Sequence, residues 1–348
     1  MKYLYFVISS FFLSAILYCS LVFFLYPAPI VAEYWIREMM VIKRTLALPF
    51  VGQNKIIIAA GSNALFSIDT NMIAQVFKRP ALNFGLTAGL PLTSILREVD
   101  KVTEKGDIVI LPLEPDYYCR ENDKYYQEWQ YRNAVAWYTD LWQAMSIREH
   151  LAALSYIDPL FPIEMLKARI AEVIKPSSIS QRLNALDDQA ILKKYTQPKD
   201  VSEPIYSIYN IDSLGNIKNT ADSSYSGTPR QADAPIRICV NTINTLRDFV
   251  QKMKQKGVTI YVAHTPYVET EGLDRRAVQK ASDEFNEALS TFVVVLDSKA
   301  DLIFKRSLFL DSDMHLNTVG REQRTKILIK DLLKKMDQEG KEHRSPSQ

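Results

Sequence analysis

Hydrophobic and polar positions fall into three regimes along the chain: one unbroken apolar run, a long alternation of short apolar strings with amphipathic stretches, and a polar, aromatic break in that alternation. The first runs from Tyr3 to Tyr26, 24 residues without a charge. At about 1.5 Å per helical residue it would extend roughly 36 Å, enough to cross a hydrocarbon core with some tilt. It predicts a single membrane-spanning helix through residues 3–26. A cleaved signal peptide is the competing reading. Its apolar region should be only about 7–15 residues and end in a small-x-small site, and Pro27-Ala28-Pro29 fits that poorly.

After the span, Val31 to Leu48 places Trp35, Met39, Ile42 and Leu46 on one helical face until Pro49 ends the pattern. Lys55 to Ala60 is then a nearly continuous apolar run closed by Gly61, the signature of a strand buried on both faces of a parallel sheet. The alternation continues with a strand at Ala81–Phe84, a helix from Leu92 (Leu92, Ile95, Leu96, Val99 and Val102 inward) that Gly106 closes, and a strand at Asp107–Leu113. It resumes with a helix over Val240–Lys256 (Val240, Ile243, Leu246, Val250 and Met253 inward) and a strand at Val258–Ala263. A helix over Arg275–Ser290, a strand at Phe292–Leu296 and a helix over Thr318–Met336 complete it. Such alternation predicts an α/β fold with a doubly wound, mainly parallel, flavodoxin-like sheet and ligands at the carboxyl ends of its strands.

Between Glu114 and Pro235 the pattern breaks. An aromatic segment (Tyr117, Tyr118, Tyr125, Tyr126, Trp129, Tyr131, Trp137, Tyr138, Trp142) leads into helices near Ala144–Tyr156 and Ile163–Ile174, then a polar stretch with a hairpin at Asn210–Ile217. The expected organisation is an anchor over 1–29 and a membrane-proximal helix over 30–50. A discontinuous α/β domain over 51–115 and 236–337 is interrupted by a large, mostly helical inserted cap over 116–235. A polar, disordered tail over 338–348 ends the chain.

Composition narrows the function classes. The chain has 348 residues, 47% hydrophobic and 24% charged, which is a globular composition with a substantial core. Its 42 basic and 40 acidic side chains leave +2, no field of the kind that tracks a phosphate backbone, so nucleic acid is not an expected partner. Cys19 lies in the span, and Cys119 and Cys239, which could pair only if the fold brings them together, are expected as free structural thiols. Lys2 alone precedes the span, whereas Arg37, Lys43 and Arg44 follow it, a bias that taken alone would leave the domain cytoplasmic.

The chemistry-bearing residues cluster at strand ends. Ser62 follows a strand and precedes Ala64-Leu65-Phe66, placing its hydroxyl at a helix N-terminus; the plain alternative is that Ser62 or Asn63 merely caps that helix. Gly85, in Asn83-Phe84-Gly85, ends the next strand, where a backbone N–H can face the same crevice; an ordinary turn glycine is the alternative. His315 lies near Asp311 and Asp313, just before Asn317, a good N-cap for the last helix. A serine that reacts with an ester needs an imidazole to take its proton, and the imidazole needs an acceptor to fix its tautomer. His264, at the end of its strand, is expected to line the cleft. Metal hydrolysis through His264, Asp311, Asp313 and His315 is the lesser alternative, since none has helical ligand spacing, and the serine reading implies no metal or organic cofactor. The aromatic run suits sugar stacking, core packing or membrane anchoring.

Taken together, Ala60-Gly61-Ser62-Asn63-x-x-Phe66, Asn83-Phe84-Gly85 and Asp313-Met314-His315-Leu316-Asn317-x-x-Gly320 resemble the SGNH (GDSL-type) hydrolase superfamily over about residues 55–115 and 236–336. The resemblance implies Ser62 as nucleophile, His315 as base with Asp313 (or Asp311) orienting it, and the Ser62 and Gly85 amides as oxyanion donors. The family's Gly-x-Asn-Asp block is replaced by Leu113-Glu114-Pro115-Asp116, leaving Asn63 or Asn83 to supply the side-chain donor and Glu114 beside the site. Asp-x-His spacing and the anchor are similar to membrane-associated members that O-acetylate alginate and to proteins of teichoic-acid D-alanylation. That implies an extracytoplasmic domain on a single-pass inner-membrane anchor and a serine esterase or O-acyltransferase acting on a cell-surface glycan or acylated polymer. A multi-span membrane acyltransferase is the implied partner. The contrasting expectation is a non-catalytic scaffold or glycan-binding subunit of such a complex.

Overall fold

The computed structural model describes residues 2–25, 35–120, 147, 150, 160–174, 188–196 and 205–342. These fall into two compact units, one of residues 1–38 with 122–197 and one of residues 39–121 with 198–348. In the first, helix α1 (Lys2–Leu25) is long and apolar enough to cross a membrane, and Phe11, Phe12, Phe23 and Phe24 are exposed along it. Helices Phe161–Ile174 and Asp188–Thr196 belong to the same unit. Of the cap helix expected near Ala144–Tyr156 only Ile147 and His150 are described, both helical, and the aromatic residues from Tyr125 to Trp142 lie outside the described residues.

The second unit is built on a five-stranded parallel sheet. In chain order its strands are β1 (Ile56–Ile58), β2 (Ala81–Asn83), β3 (Ile108–Leu111), β4 (Thr259–Val262) and β6 (Val294–Val295), arranged β2-β1-β3-β4-β6. The three isoleucines of β1 are wholly buried, as befits an inner strand covered on both faces. Ile58 pairs in register with Asn83 on one side and Ile110 on the other, so three strands end along one edge. The residues that follow them, Gly61-Ser62, Gly85 and Glu114, are thereby gathered there. A two-stranded parallel sheet of β5 (Tyr267–Val268) and β7 (Ile303–Phe304) lies beside it.

The helices of this unit are α2 (Trp35–Ala47, shared with the first unit), α3 (Ser62–Ser67), α4 (Thr70–Phe77), α5 (Leu92–Val102), then Val240–Gln255, Arg275–Ser290 and Thr318–Glu342. Several expectations change. Helix α2 is no mere connector: Met39 and Ile42 are fully buried, and the Lys43 ammonium donates to the carbonyls of Asn83 (2.9 Å) and Gly85 (2.5 Å). Val240 is 73% exposed because it opens its helix, and the buried stripe begins at Leu246. The last helix runs on to Glu342, so residues 338–342 are helical rather than tail. Residues 205–235 cluster in the same compact unit as the sheet. There the expected hairpin forms: Ile211 bridges Ile217 antiparallel, Gly215 turns at φ +83°, and the Leu214 carbonyl accepts from the Asn83 amide on the β2 edge.

The cysteine expectation is overturned. Cys119 and Cys239, 120 residues apart in sequence, are disulfide-bonded with their Cα atoms 4.8 Å apart. Sequence separation hid a contact made where the Cys239 amide reaches the Tyr118 carbonyl.

Candidate active site

Ser62 stands at the first position of α3, on the carboxyl edge of β1. The turn is tight because Gly61 lies against other atoms: a Cβ there would sit 2.5 Å from Glu114 Oε1 and 2.7 Å from the Ala88 amide nitrogen. Glu114, wholly buried, accepts from the amides of Gly61 (3.1 Å) and Asn63 (2.9 Å), satisfying two of the orphan donors that open a helix. Burial pushes its carboxyl above the usual range despite these bonds and the nearby Arg120 charge.

His315 comes from the loop before the last helix, and α3 itself fixes that loop. The Ser67 hydroxyl donates to the Met314 carbonyl (2.9 Å) and accepts from the Leu316 amide (3.3 Å). Phe309 bridges Leu316, and Asn317 caps the helix by accepting from the Gly320 amide at 3.0 Å. The Phe66 ring stacks on the imidazole at 4.2 Å and 17°. So one short helix carries the serine at its start and, at its end, both the ring that backs the imidazole and the hydroxyl that anchors the loop.

The resulting distances form a relay. Ser62 Oγ lies 2.8 Å from His315 Nε2, and His315 Nδ1 lies 2.7 Å from Asp311 Oδ1. His315 is buried, while the Asp311 side chain is 31% exposed. The other carboxylate oxygen of Asp311 accepts from the Tyr206 hydroxyl, which also stands 3.4 Å from His315 Nδ1. Burial alone would raise the Asp311 carboxyl; the bonds from His315 and Tyr206, with the His315 charge, outweigh it and hold the group below the usual carboxylate range. Of the two expected carboxylates, it is Asp311 and not Asp313 that reaches the imidazole. Asp313 faces away to Arg230, whose Nε donates to it at 2.9 Å, because the Ser312–Met314 turn points successive side chains apart.

The expected oxyanion donors are differently employed. The Gly85 amide donates to Asn83 Oδ1 (2.9 Å); Gly85 is glycine because a Cβ would collide with the Leu65 amide nitrogen. Asn83 Nδ2 donates to the Ala64 and Ile68 carbonyls, and Asn63 Nδ2 donates to the Pro112 carbonyl at 2.6 Å. Each instead fastens the edge. In the loop after β2, Tyr117 donates to the carbonyls of Thr87 and Leu90 (3.0 Å each), and Arg120 donates to Ala88 (2.7 Å). A planar trans peptide points its N–H opposite its C=O, so the Ala88 amide faces away from Tyr117, toward Gly61. Among the described residues, the amides of Ser62 and Ala88 have no acceptor.

His264 does not line the cleft. It is buried with Nε2 2.8 Å from Asn286 Oδ1, its amide donates to Asp297, and the fully buried Arg324–Asp297 pair (2.8 Å) closes the network. Burial pulls its imidazole below the usual range, with Asp297 opposing. Tyr206 was not anticipated: it lies in a polar stretch 109 residues from His315 with no periodicity to mark it. No protein-family model matches the chain, and no curated protein sequence matches it.

Proposed function

We propose that this chain is a membrane-anchored, extracytoplasmic serine acyl-ester hydrolase or O-acyltransferase of the SGNH type, acting on a cell-surface glycan or acylated polymer beside a multi-span membrane acyltransferase. The observation that carries the reading is the unbroken relay Ser62–His315–Asp311, at 2.8 and 2.7 Å on the carboxyl edge of a parallel sheet. His315 Nε2 takes the hydroxyl proton as Ser62 Oγ adds to the ester carbonyl carbon, and Asp311 holds Nδ1–H and stabilises the imidazolium. The amides of Ser62 and Ala88 serve the tetrahedral oxyanion. Collapse expels the alcohol, protonated by His315, and leaves an acyl-serine. Water or a sugar hydroxyl, deprotonated by His315, then releases the acyl group. The apolar α1 helix supports the anchor, and the Cys119–Cys239 disulfide supports an oxidising compartment.

A second reading, a non-catalytic scaffold or glycan-binding subunit, is favoured by one observation: Asn63, Asn83 and Gly85 all spend their donors on the edge itself. Full-length protein in detergent, treated with a serine-reactive fluorophosphonate and an aryl acetate, separates the two. Labelling and turnover that vanish in Ser62→Ala are expected. Labelling that persists in that variant removes Ser62 as nucleophile, and wild-type protein with neither labelling nor turnover supports the scaffold.

A further inference from the structure

A cavity of about 320 Å³ in the α/β unit is not used by the relay. It reaches the His315 loop through Arg230, the residue that holds Asp313. Among its lining residues three are cationic, Arg230, Arg237 and Lys299, and one is a carboxylate, Asp116. Tyr267 gathers two of the cations: the Arg230 guanidinium lies 5.0 Å and the Lys299 ammonium 4.7 Å from its ring centroid.

The positive charge there is incompletely answered. Arg230 Nε is matched by Asp313, yet Arg230 Nη1 is buried with no acceptor among the described residues. The Lys299 ammonium donates to the Ala234 carbonyl at 2.8 Å and forms no ion pair with a described carboxylate. Burial and the neighbouring Arg230 charge together bring its pKa down to about 8, with Asp233 opposing. Arg237 is exposed. Buried polar donors are normally satisfied, and like charges held on one ring are stabilised by a counter-charge.

We propose that this cavity is an anion subsite for the acyl acceptor, taking a carboxylate or phosphate group between Arg230 and Arg237, with Lys299 adding charge from beneath. The proposal rests on the acyl-transfer reading above and deepens it. Asp116, which also lines the cavity, accepts from hydroxyls next to the anionic group, as a sugar acid or a glycerol phosphate would present them. Because Arg230 also grips Asp313, an occupant here is registered against the loop that carries His315. The subsite therefore positions an acceptor hydroxyl for attack on the acyl-serine, a step for which a lone water needs no such contact.

The test uses full-length Ser62→Ala protein in detergent, so that binding is read without turnover, by calorimetry with galacturonate, glycerol phosphate, galactose and glycerol. At least one anionic probe is expected to bind, with its neutral counterpart at least about tenfold weaker, and Arg237→Gln to weaken the anion at least about tenfold. A carboxylate-only or phosphate-only result supports the subsite and identifies the group. Equal binding of charged and neutral probes, unchanged binding in Arg237→Gln, or no heat at about 10 mM of any probe overturns it. Arg237 is exposed, so Arg237→Gln leaves the core intact and keeps the test decisive. Fluorophosphonate labelling of the Ser62-containing protein with and without Arg237→Gln separates the two ideas. Labelling without anion binding defeats the subsite alone, and anion binding without labelling defeats the nucleophile alone.

Discussion

Asp311→Asn is the sharpest perturbation because Tyr206 dictates how the new amide must sit. The Tyr206 hydroxyl donates to one carboxylate oxygen while the other faces His315 Nδ1 at 2.7 Å. In the asparagine variant Tyr206 keeps its acceptor only if Oδ1 faces it, which turns the NH₂ group toward Nδ1. The ring must then carry its proton on Nε2, the atom 2.8 Å from Ser62 Oγ, and it loses the lone pair that takes the serine proton. In the serine-protease template the equivalent change lowers kcat by about 10⁴-fold, or about 5 kcal/mol at about 1.4 kcal/mol per tenfold. Asp311 is 31% exposed, so water partly replaces the lost carboxylate. We therefore expect a loss of about 10²–10³-fold, about 3–4 kcal/mol. Asp313→Asn, which only weakens a grip by Arg230, should cost less than about fivefold, about 1 kcal/mol. The assay is aryl acetate turnover by full-length protein in detergent, with kcat and KM separated and folding checked by circular dichroism. If Asp313→Asn loses a hundredfold and Asp311→Asn turns over like wild type, the relay is assigned to the wrong carboxylate.

Three further outcomes follow from contacts outside the relay. Tyr206→Phe removes one hydrogen bond to the orienting carboxylate and should lower kcat about fivefold with KM unchanged, about 1 kcal/mol; an unchanged kcat would show the hydroxyl to be idle. Reduction, or Cys119→Ser with Cys239→Ser, frees ends 120 residues apart and should lower unfolding free energy by up to about 5 kcal/mol, read as a shift in denaturant midpoint. Lys43 is held well below its ordinary pKa of 10.5 by burial, with Asp212 opposing. The unfolded chain thus binds more protons between that lowered value and 10.5, and stability relative to Lys43→Met should rise with pH across that window. The neutral amine still donates to Asn83 and Gly85; a gap that does not widen with pH would refute the burial argument.

The sheet was legible because inner parallel strands write themselves as unbroken apolar runs: Ile56–Ile58 and Ile108–Leu111 sit inside the expected ranges, and α5 begins at Leu92 as expected but is capped at Thr103, before the expected Gly106. Ser62 and His315 were legible for a related reason, as polar residues placed where such strands and a final helix begin or end. The acid was not. Asp311 and Asp313 are both close to His315, and the choice depends on a turn at Ser312–Met314 whose geometry leaves no sequence pattern. Asn63, Asn83 and Gly85 were found but given the wrong work, since a motif says which residues stand at an edge, not which donors that edge consumes. Tyr206 was unreadable because it lies in a polar stretch with no element boundary to mark it, and the disulfide because two lone cysteines carry no spacing pattern that says whether they pair.

The disulfide also decides how the molecule behaves when its chain is broken. Ser62 lies before Cys119 and His315 after Cys239, so every peptide bond between the two cysteines separates the serine from the histidine it contacts. A protease cutting there would turn one polypeptide into two, each carrying half of the relay, joined by a single sulfur–sulfur bond and one shared sheet. On a non-reducing gel such a product would run as one species and on a reducing gel as two. The strand pairing of β3 with β4, from opposite sides of the cut, would keep both halves in register. The site thus belongs to the sheet rather than to the continuity of the chain.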